Sequence, residues 1–365
     1  MLSSNGAEFV GNRLDFVREN CAKTVPDVVR LIYFGTVRYA ESLPKFAAVL
    51  FLGLAILTAQ DAGYTYSHAG NVEPVASRTT PAYLLAGGGK TTPEAYRWLM
   101  ERAGGGDAIT LRASGADAMN KALIDAGANS AATFLFKSRE AASDPFVLER
   151  VRKASAIWIA GGDQWNYVRM WRATPLAEAI NARIRAGMPI GGSSAGLAVL
   201  GEFAFSAETG GITSVKALAN PYDPAMTIAT NFLEIPLLKK VITDTHWVKR
   251  DRQGRTLVML ARLVQDGRAN TASAIAVDED NSVLLESDGG ARVSGPGSAY
   301  FLRTTTKPAL CVEGQPLTFA GIEVYRIDAT GKFNVKTWRG EGGAAYRLDV
   351  TKGVVSSTQA GGGVY

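Results

Sequence analysis

"GMPIGGSSAGLAVL", residues 187–200, decides how this chain is read. An apolar strand-like run ends in two glycines, Ser193 and Ser194 follow, and an alanine-glycine pair leads into a second apolar run. Between a strand and a helix, Ser194 stands where a nucleophile elbow places its hydroxyl. Gly192 and Gly196, two residues before and after it, permit a crowded backbone, and the N–H of Ala195 can point at a developing oxyanion. The spacing is not the G-x-S-x-G of the α/β-hydrolases. A glycine-rich turn whose serine only caps a helix has the same composition, so the turn alone does not decide between chemistry and structure.

The flanking sequence supplies the strand and the helix. From residue 81 onward, short apolar runs alternate with helical stretches: "AYLLAGGG", "TPEAYRWLMERAG", "DAITLRASG", a helix over 116–127, "SAATFLF", a helix over 144–154 opened by Asp-Pro, "SAIWIAGGDQ" and "TPLAEAINARIRAG". "LAVLGEF" then reads as the start of another helix. Continuously apolar strands separated by helices predict an α/β fold with a mostly parallel sheet covered on both faces. In such sheets ligands collect at the carboxyl ends of the strands. Gly87–Gly89, Gly161–Gly162 and Gly191–Gly192 all fall there, which predicts a cleft lined by backbone. None of them matches the dinucleotide fingerprint, and "GGGKTT" lacks the insert of a phosphate-cradling loop, so no cofactor is expected.

Beyond residue 200 the pattern loosens. "LLKKVITDTHWVKRDRQGRTLVMLARLVQDG" reads as strand, charged turn and helix, and "TASAIAVDEDNSVLLE" as strand, turn and strand. From about residue 297 "SAYFLRTT", "LTFAGIEVYRID" and "KFNVKTW" alternate between turns, predicting a small β-rich extension over 297–365 whose end, "SSTQAGGGVY", reads as a loose tail.

With 365 residues, 47% of them hydrophobic, the chain can bury one substantial core. A net charge of +5 from 39 basic and 34 acidic side chains is too thinly spread for a nucleic-acid partner. Cys21 and Cys311 are far apart and form no CxxC, which supports neither a disulfide framework nor a four-cysteine zinc site. Residues 46–57, "FAAVLFLGLAIL", are charge-free, short for a membrane span and suited to the centre of a secretory signal, although some forty residues precede them. Export, or anchoring through this run, is expected, against the plain alternative of a buried helix of the fold. Residues 60–80 read as a polar linker, so the segmentation is an N-terminal extension over 1–80, an α/β domain over 81–296 and the extension after it.

A serine hydroxyl needs a base, and the chain holds two histidines, His68 and His246. His68 falls in the linker, so His246, in "ITDTHWVKRDRQGR", is the base expected within the fold, and a His-rich metal site is disfavoured. Asp278 and Glu279, after "SAIAV", both suit the carboxylate that orients its second ring nitrogen. Gly162 in "AGGDQ" offers a second oxyanion donor and Gln164 a contact for a peptide backbone, while Asp163 suits a helix cap. Arg250, Arg252 and Arg255 can grip carboxylates, against the plain alternative of a solvated charge run. Asp244 is close enough in sequence to orient His246 or to contact substrate.

Together, "GGSSAG", "AGGDQ" and "DTHWVKRDRQGR", with "SREAASDP" at 138–145, resemble the cyanophycinase-like serine peptidases, a family related to aspartyl dipeptidases. The likeness runs from about Tyr83 to Glu286. It implies a fold like the class I glutamine amidotransferases, catalytic residues Ser194, His246 and Glu279, and an oxyanion site at Gly162 and Ala195. It further implies substrate contacts from Gln164, Asp244, Arg250, Arg252 and Arg255. Cyanophycinases release β-Asp-Arg dipeptides from a poly-aspartate backbone bearing arginines, so the expected partner is a peptide or polymer with acidic or arginine groups; a homodimer is expected from the likeness alone. The family's Asp-Gln-His-Phe is here Asp244, Thr245, His246 and Trp247, and Thr245 removes an amide that could help hold a polymer. Amidase or dipeptidase action on small carboxylated amides, and an exported peptide-binding module without turnover, are the competing readings.

Overall fold

The structure, a computed structural model, describes residues 62–365 except 72, 74 and 116–118. The apolar run at 46–57, and with it the expectation of export, lies outside the described residues; among those described, no helix is long and apolar enough to cross a membrane.

The first half of the chain alternates strands and helices. Strands β1 (Tyr64–Gly70) and β2 (Ala82–Ala86) lead to helix α1 (Pro93–Arg102), and β3 (Asp107–Arg112) to α2 (Met119–Asp125). Then follow β4 (Ser130–Phe136), α3 (Pro145–Lys153), β5 (Ala156–Ile159), α4 (Gln164–Trp171), α5 (Pro175–Arg185) and β6 (Ile190–Ser193). The Thr-Pro and Asp-Pro pairs do open helices. Thr92 accepts the N–H of Ala95 at 3.1 Å and Asp144 that of Phe146 at 2.9 Å, while each proline fills a position whose N–H has no intrahelical partner.

β2, β6, β5, β3 and β4 form a parallel core, in the spatial order β4-β3-β5-β6-β2. Alternate residues of β2 show why both faces need cover. Tyr83 and Leu85 pack with residues of α3 and α5, whereas Ala82, Leu84 and Ala86 pack with Trp98 and Leu99 of α1 and Leu123 of α2. The expected α/β sheet covered by helices on both faces is therefore present around Ser194.

The second half is β-rich and divides between two sheets. After the single-turn helix α6 (Ala195–Ala198) come β7 (Phe203–Phe205), the short helix α7 (Ser214–Ala219), β8 (Ile228–Thr230), β9 (Val241–Thr245), helix α8 (Gln253–Gln265) and β10 (Ser273–Val277). "LAVLGEF" thus holds one helical turn and then enters a strand. β11 (Ser282–Glu286), β12 (Gly290–Ser294), β13 (Ala299–Thr304), β14 (Phe319–Ile327), β15 (Lys332–Asn334), β16 (Arg339–Glu341), β17 (Ala344–Thr351) and β18 (Val354–Ser357) complete the described strands. The first sheet runs β1-β4-β3-β5-β6-β2-β11-β12-β15-β16 and the second β18-β17-β14-β13-β10-β9-β7-β8. β10 and β11 are joined by four residues yet lie in different sheets, so the turn 278–281 crosses from one to the other.

Three expectations change. The sheets are mixed as wholes, because the strands after residue 281 add antiparallel. Residues 297–365 are not set apart from the α/β core: β13 pairs with β10, and β15 with β12. Their last stretch, read as a loose tail, is docked: Gln359 donates to the main-chain oxygens of Gly363 and Tyr365 at 2.7 and 3.2 Å, and Tyr346 to that of Val364 at 3.2 Å.

The linker reading of 60–80 also fails over 64–70. β1 pairs antiparallel with β4, and Tyr64 and Tyr66, two residues apart on one face, set their rings 5.5 and 4.9 Å from that of Phe134. His68 is consequently an edge-strand residue opposite Ala132, four strands from β6, roughly 19 Å at ordinary inter-strand spacing. A chain begun at Pro81 instead of Ala62 leaves the β4 edge unpaired and uncovers Phe134. We expect its melting temperature to fall by about 5 °C or more, with light scattering reporting association through that edge.

Candidate active site

Ser194 sits between β6 and α6 with φ 53° and ψ −116°, a conformation that costs energy for any residue with a side chain. Glycines two residues to either side let the backbone close up around it. A Cβ on Gly192 would overlap the carbonyl group of Gly196, and one on Gly196 would overlap that of Ile159 at the end of β5. The Ser194 N–H donates to the Ala86 carbonyl at 3.1 Å and its carbonyl accepts from Ala198 at 2.9 Å, so the elbow is tied to β2 on one side and α6 on the other.

His246 follows β9, also with positive φ (49°). Its N–H donates to the Gly87 carbonyl at 2.8 Å, and its ring lies on the bare face of Gly88, where any Cβ would overlap the imidazole. Held this way, Nε2 is 2.7 Å from Ser194 Oγ and Nδ1 is 2.6 Å from Glu279 Oε1. A carboxylate oxygen only accepts, so Nδ1 carries the proton, and the Nε2 lone pair is free to receive that of the serine. The structure chooses between the two acids. Asp278 is occupied by the N–H groups of Val248 and Lys249, at 3.1 and 2.9 Å, which shape the turn after His246.

Burial holds the His246 pKa below the ordinary imidazole value, and the Arg250 and Arg252 cations push the same way against the Glu279 hydrogen bond. At neutral pH the ring is the uncharged base that the geometry requires. The acid limb of any reaction initiated by Ser194 should therefore lie below pH 6.5. Arg250→Gln should move it upward, because removing a neighbouring cation favours imidazolium; the rate of covalent modification at Ser194 as a function of pH checks both.

The backbone of "AGG" comes against the serine as the strand order β5-β6 requires. A Cβ on Gly161 would stand 3.5 Å from that of Ser194, and Gly162 follows with φ 155°. Tyr167 braces this turn from beneath, donating to the carbonyls of Ala160 and Gly161 at 2.8 and 3.1 Å. Ala195 is the first residue of α6, a position whose N–H lacks an intrahelical acceptor. Asp163 caps α4 by accepting from Trp165 at 2.9 Å, and the Gln164 amide donates to the Phe205 carbonyl at 3.2 Å.

The arginine motif divides by burial. Asp244 is 1% exposed and Arg255 3%, and they meet in a two-pronged ion pair through Arg255 Nε and Nη2, joined by the Thr256 hydroxyl at 2.7 Å from Asp244. Burial opposes the charge on Asp244, but Arg255, Arg252 and Thr256 outweigh it and keep its pKa below the usual carboxylate value. The expected substrate contacts from Asp244 and Arg255 are thus corrected: both side chains are spent inside the fold. Thr245, likewise buried, accepts the Arg252 guanidinium at 2.9 Å, so this departure from the family pattern changes an internal contact rather than a polymer-facing one. Burial lowers the Arg252 pKa to about 10, still leaving it charged at neutral pH. Arg250 is half exposed, with its Nε 3.5 Å from Glu279, at the mouth of the site.

The glycines at 87–89, expected to line a cleft, gain a specific role here. In sequence they lacked a cofactor fingerprint; in the structure they carry His246 and also receive the crossing turn, with Asp280 N–H donating to the Gly88 carbonyl at 2.8 Å. Their signal was their place after an apolar strand. Among the described residues, no group of three or more His, Cys, Asp or Glu could hold a metal ion.

A serine on a strained strand-to-helix turn, a buried neutral imidazole and a carboxylate define a serine-hydrolase type of site on an α/β fold. Residues 112–289 match peptidase family S51. Cyanophycinase of Trichormus variabilis is 27% identical over 204 residues, covering 54% of this chain and 63% of that one, so the chain spans under two thirds of that relative. Cyanophycinase of Synechococcus elongatus is 28% identical over 251 residues, 65% of this chain and 73% of the relative. A peptidase from an acI-B1 actinobacterium, solved by crystallography, aligns with a TM-score of 0.49 and 16% identity over 70% of this chain and 97% of that one. Over this region the chain is similar to the cyanophycinase-like peptidases of family S51.

Because the His246 ring needs the bare face of Gly88, whose backbone is also held at φ 117°, Gly88→Ala should drive the imidazole off line. A loss of about 100-fold or more in the rate of Ser194 modification is the expected result, with circular dichroism as the check on folding.

Proposed function

We propose that the chain is a serine peptidase that hydrolyses peptide or isopeptide bonds through an acyl-enzyme on Ser194. The observation that carries this reading is the continuous line from Ser194 Oγ to His246 Nε2 and from His246 Nδ1 to Glu279, at 2.7 and 2.6 Å. Ser194 attacks the carbonyl carbon as His246 takes its proton. The oxyanion turns toward the N–H groups of Ala195 and Gly162, and His246 passes the proton to the leaving amine. Water, deprotonated by the same imidazole, then releases the acyl group. Glu279 fixes the tautomer and stabilises the transient imidazolium.

The relatives' names and the basic mouth of the site favour substrates bearing carboxylates, including β-Asp-Arg linkages of the cyanophycin type. Arg250 is the exposed cation placed to meet such a group, with Arg252 behind it and Gln164 as a contact for the peptide backbone. The apolar run at 46–57 supports an exported enzyme acting on external peptide.

A serine-directed fluorophosphonate should label the protein, and Ser194→Ala should abolish the labelling. Persistent labelling in that variant removes Ser194 as the nucleophile. Glu279→Gln, which presents an amide where the ring needs an acceptor, should slow turnover by about 1,000-fold or more. Mass spectrometry of products from cyanophycin, β-Asp-Arg and α-linked Asp dipeptides identifies the bond; binding of all three with no product would instead make the chain a peptide-binding module.

A further inference from the structure

We propose that Tyr365 is a positioning residue for the Ser194–His246 pair, holding in place the turn 246–252 that carries the imidazole. The inference rests on the reading of the site given above. That turn has little regular structure of its own: it starts at His246 and contains Asp251, both with positive φ (49° and 46°). Its internal bonds are three, Arg250 N–H to His246, Asp251 N–H to Val248 and Arg252 N–H to Trp247, at 3.0, 3.0 and 2.8 Å. Two left-handed non-glycine residues in one short turn persist only when the surroundings over-determine them.

Tyr365 supplies part of that constraint from more than one hundred residues away. Its hydroxyl donates to Asp251 Oδ1 at 2.6 Å and accepts the N–H of Gln253, the first residue of α8, at 3.4 Å. The ring meets Trp247 edge-on at 5.1 Å and borders Tyr300 at 6.4 Å. Trp247, completely buried and bonded through Nε1 to Thr256 at 2.9 Å, is the residue directly after His246. On the opposite side Ser214 donates to the Asp251 carbonyl at 2.5 Å, so Asp251 is held from both flanks. Burial and the Asp251 carboxylate raise the phenol pKa well above its ordinary value, so the hydroxyl stays a donor at any working pH.

Tyr365 is itself anchored, its main-chain oxygen accepting from Arg326 on β14 at 3.1 Å and from Gln359 at 3.2 Å. The β-rich second half thereby acts on the site at two points: the pairing of β13 with β10, which leads into the turn carrying Glu279, and the docking of Tyr365 on the turn that carries His246. A substrate contact is not needed for this role. The residue acts through Trp247 and Asp251, and its removal should change rate more than affinity.

The test uses the full chain with Tyr365→Phe and Tyr365→Ala, read by the rate and concentration dependence of fluorophosphonate labelling and by an NMR titration of the His246 ring. Only His68 shares that spectral region, and it is assigned by His68→Gln. Tyr365→Phe should slow the saturating labelling rate about 3- to 10-fold, the worth of one hydrogen bond, and Tyr365→Ala about 10- to 100-fold, with half-saturation little changed. The His246 midpoint should rise toward 6.5 in the alanine variant as its surroundings loosen. Wild-type labelling rates and an unchanged midpoint in folded variants, even with a lower melting temperature, overturn the proposal, since a purely structural tyrosine moves only the last. If the alanine variant does not fold, the phenylalanine variant decides. If the unaltered protein is not labelled at all, the peptidase reading fails, and the midpoint of His246 still decides the positioning role.

Discussion

The packing of the His246 ring on Gly88 is the contact on which the rest of the site depends. It requires a glycine after β2 and a left-handed residue after β9, and it brings the end of a strand in one sheet against the end of a strand in the other. The Ser194 elbow adjoins β2 through the Ala86 carbonyl, so the same strand that seats the base also positions the nucleophile. The turn 278–281 then closes the arrangement, because it leaves β10 in one sheet, passes Glu279 across the imidazole and enters β11 beside β2 in the other. The triad therefore stands where the two sheets meet, and each member comes from the carboxyl end of a different strand, in keeping with the general preference of parallel sheets for ligands at that edge.

How far this could be read from sequence depended on range. The elbow was legible because its requirements are local: glycines two residues either side of Ser194 are needed to avoid overlap with backbone. His246 was legible by scarcity. The choice between Asp278 and Glu279 was carried only by the family resemblance, which named Glu279; the residues themselves left it open, since it turns on which side chain faces the ring after a crossing between sheets. Nor was the strand 64–70: its two tyrosines alternate as a strand should, but their polar neighbours and the Gly and Pro residues around them gave the composition of a linker. Docking of residues 359–365 is a long-range contact made by a glycine-rich segment, and nothing in those residues announces the partner surface.

Charge was the hardest feature to read. "DTHWVKRDRQGR" presents two aspartates and three arginines, of which Asp244, Arg250, Arg252 and Arg255 look alike as substrate contacts, yet the fold assigns them to different depths. Spacing explains the division. Arg255 lies in the first turn of α8, facing back toward the end of β9, and reaches Asp244, whereas Arg250 lies in the preceding turn and faces outward. The Arg255 guanidinium also lies over the Phe205 ring, 4.6 Å from its centre, which further fixes its plane.

A buried ion pair of this kind is weak evidence for stability, because desolvating two charges can cancel their attraction. Its effect on the site is different. Deleting either partner strands a buried charge at a cost of about 3–5 kcal/mol, so β9 and α8 are held to one relative placement. Thr256, which bonds both Asp244 and the Trp247 indole, extends the constraint to the residue beside His246. The motif is then best understood as two mechanisms interleaved. One set of side chains, Asp244, Arg255, Thr256 and Trp247, fixes where the turn begins and ends; the other, His246 and Arg250, faces the cleft. A substitution in the first set reaches the chemistry only by moving the second.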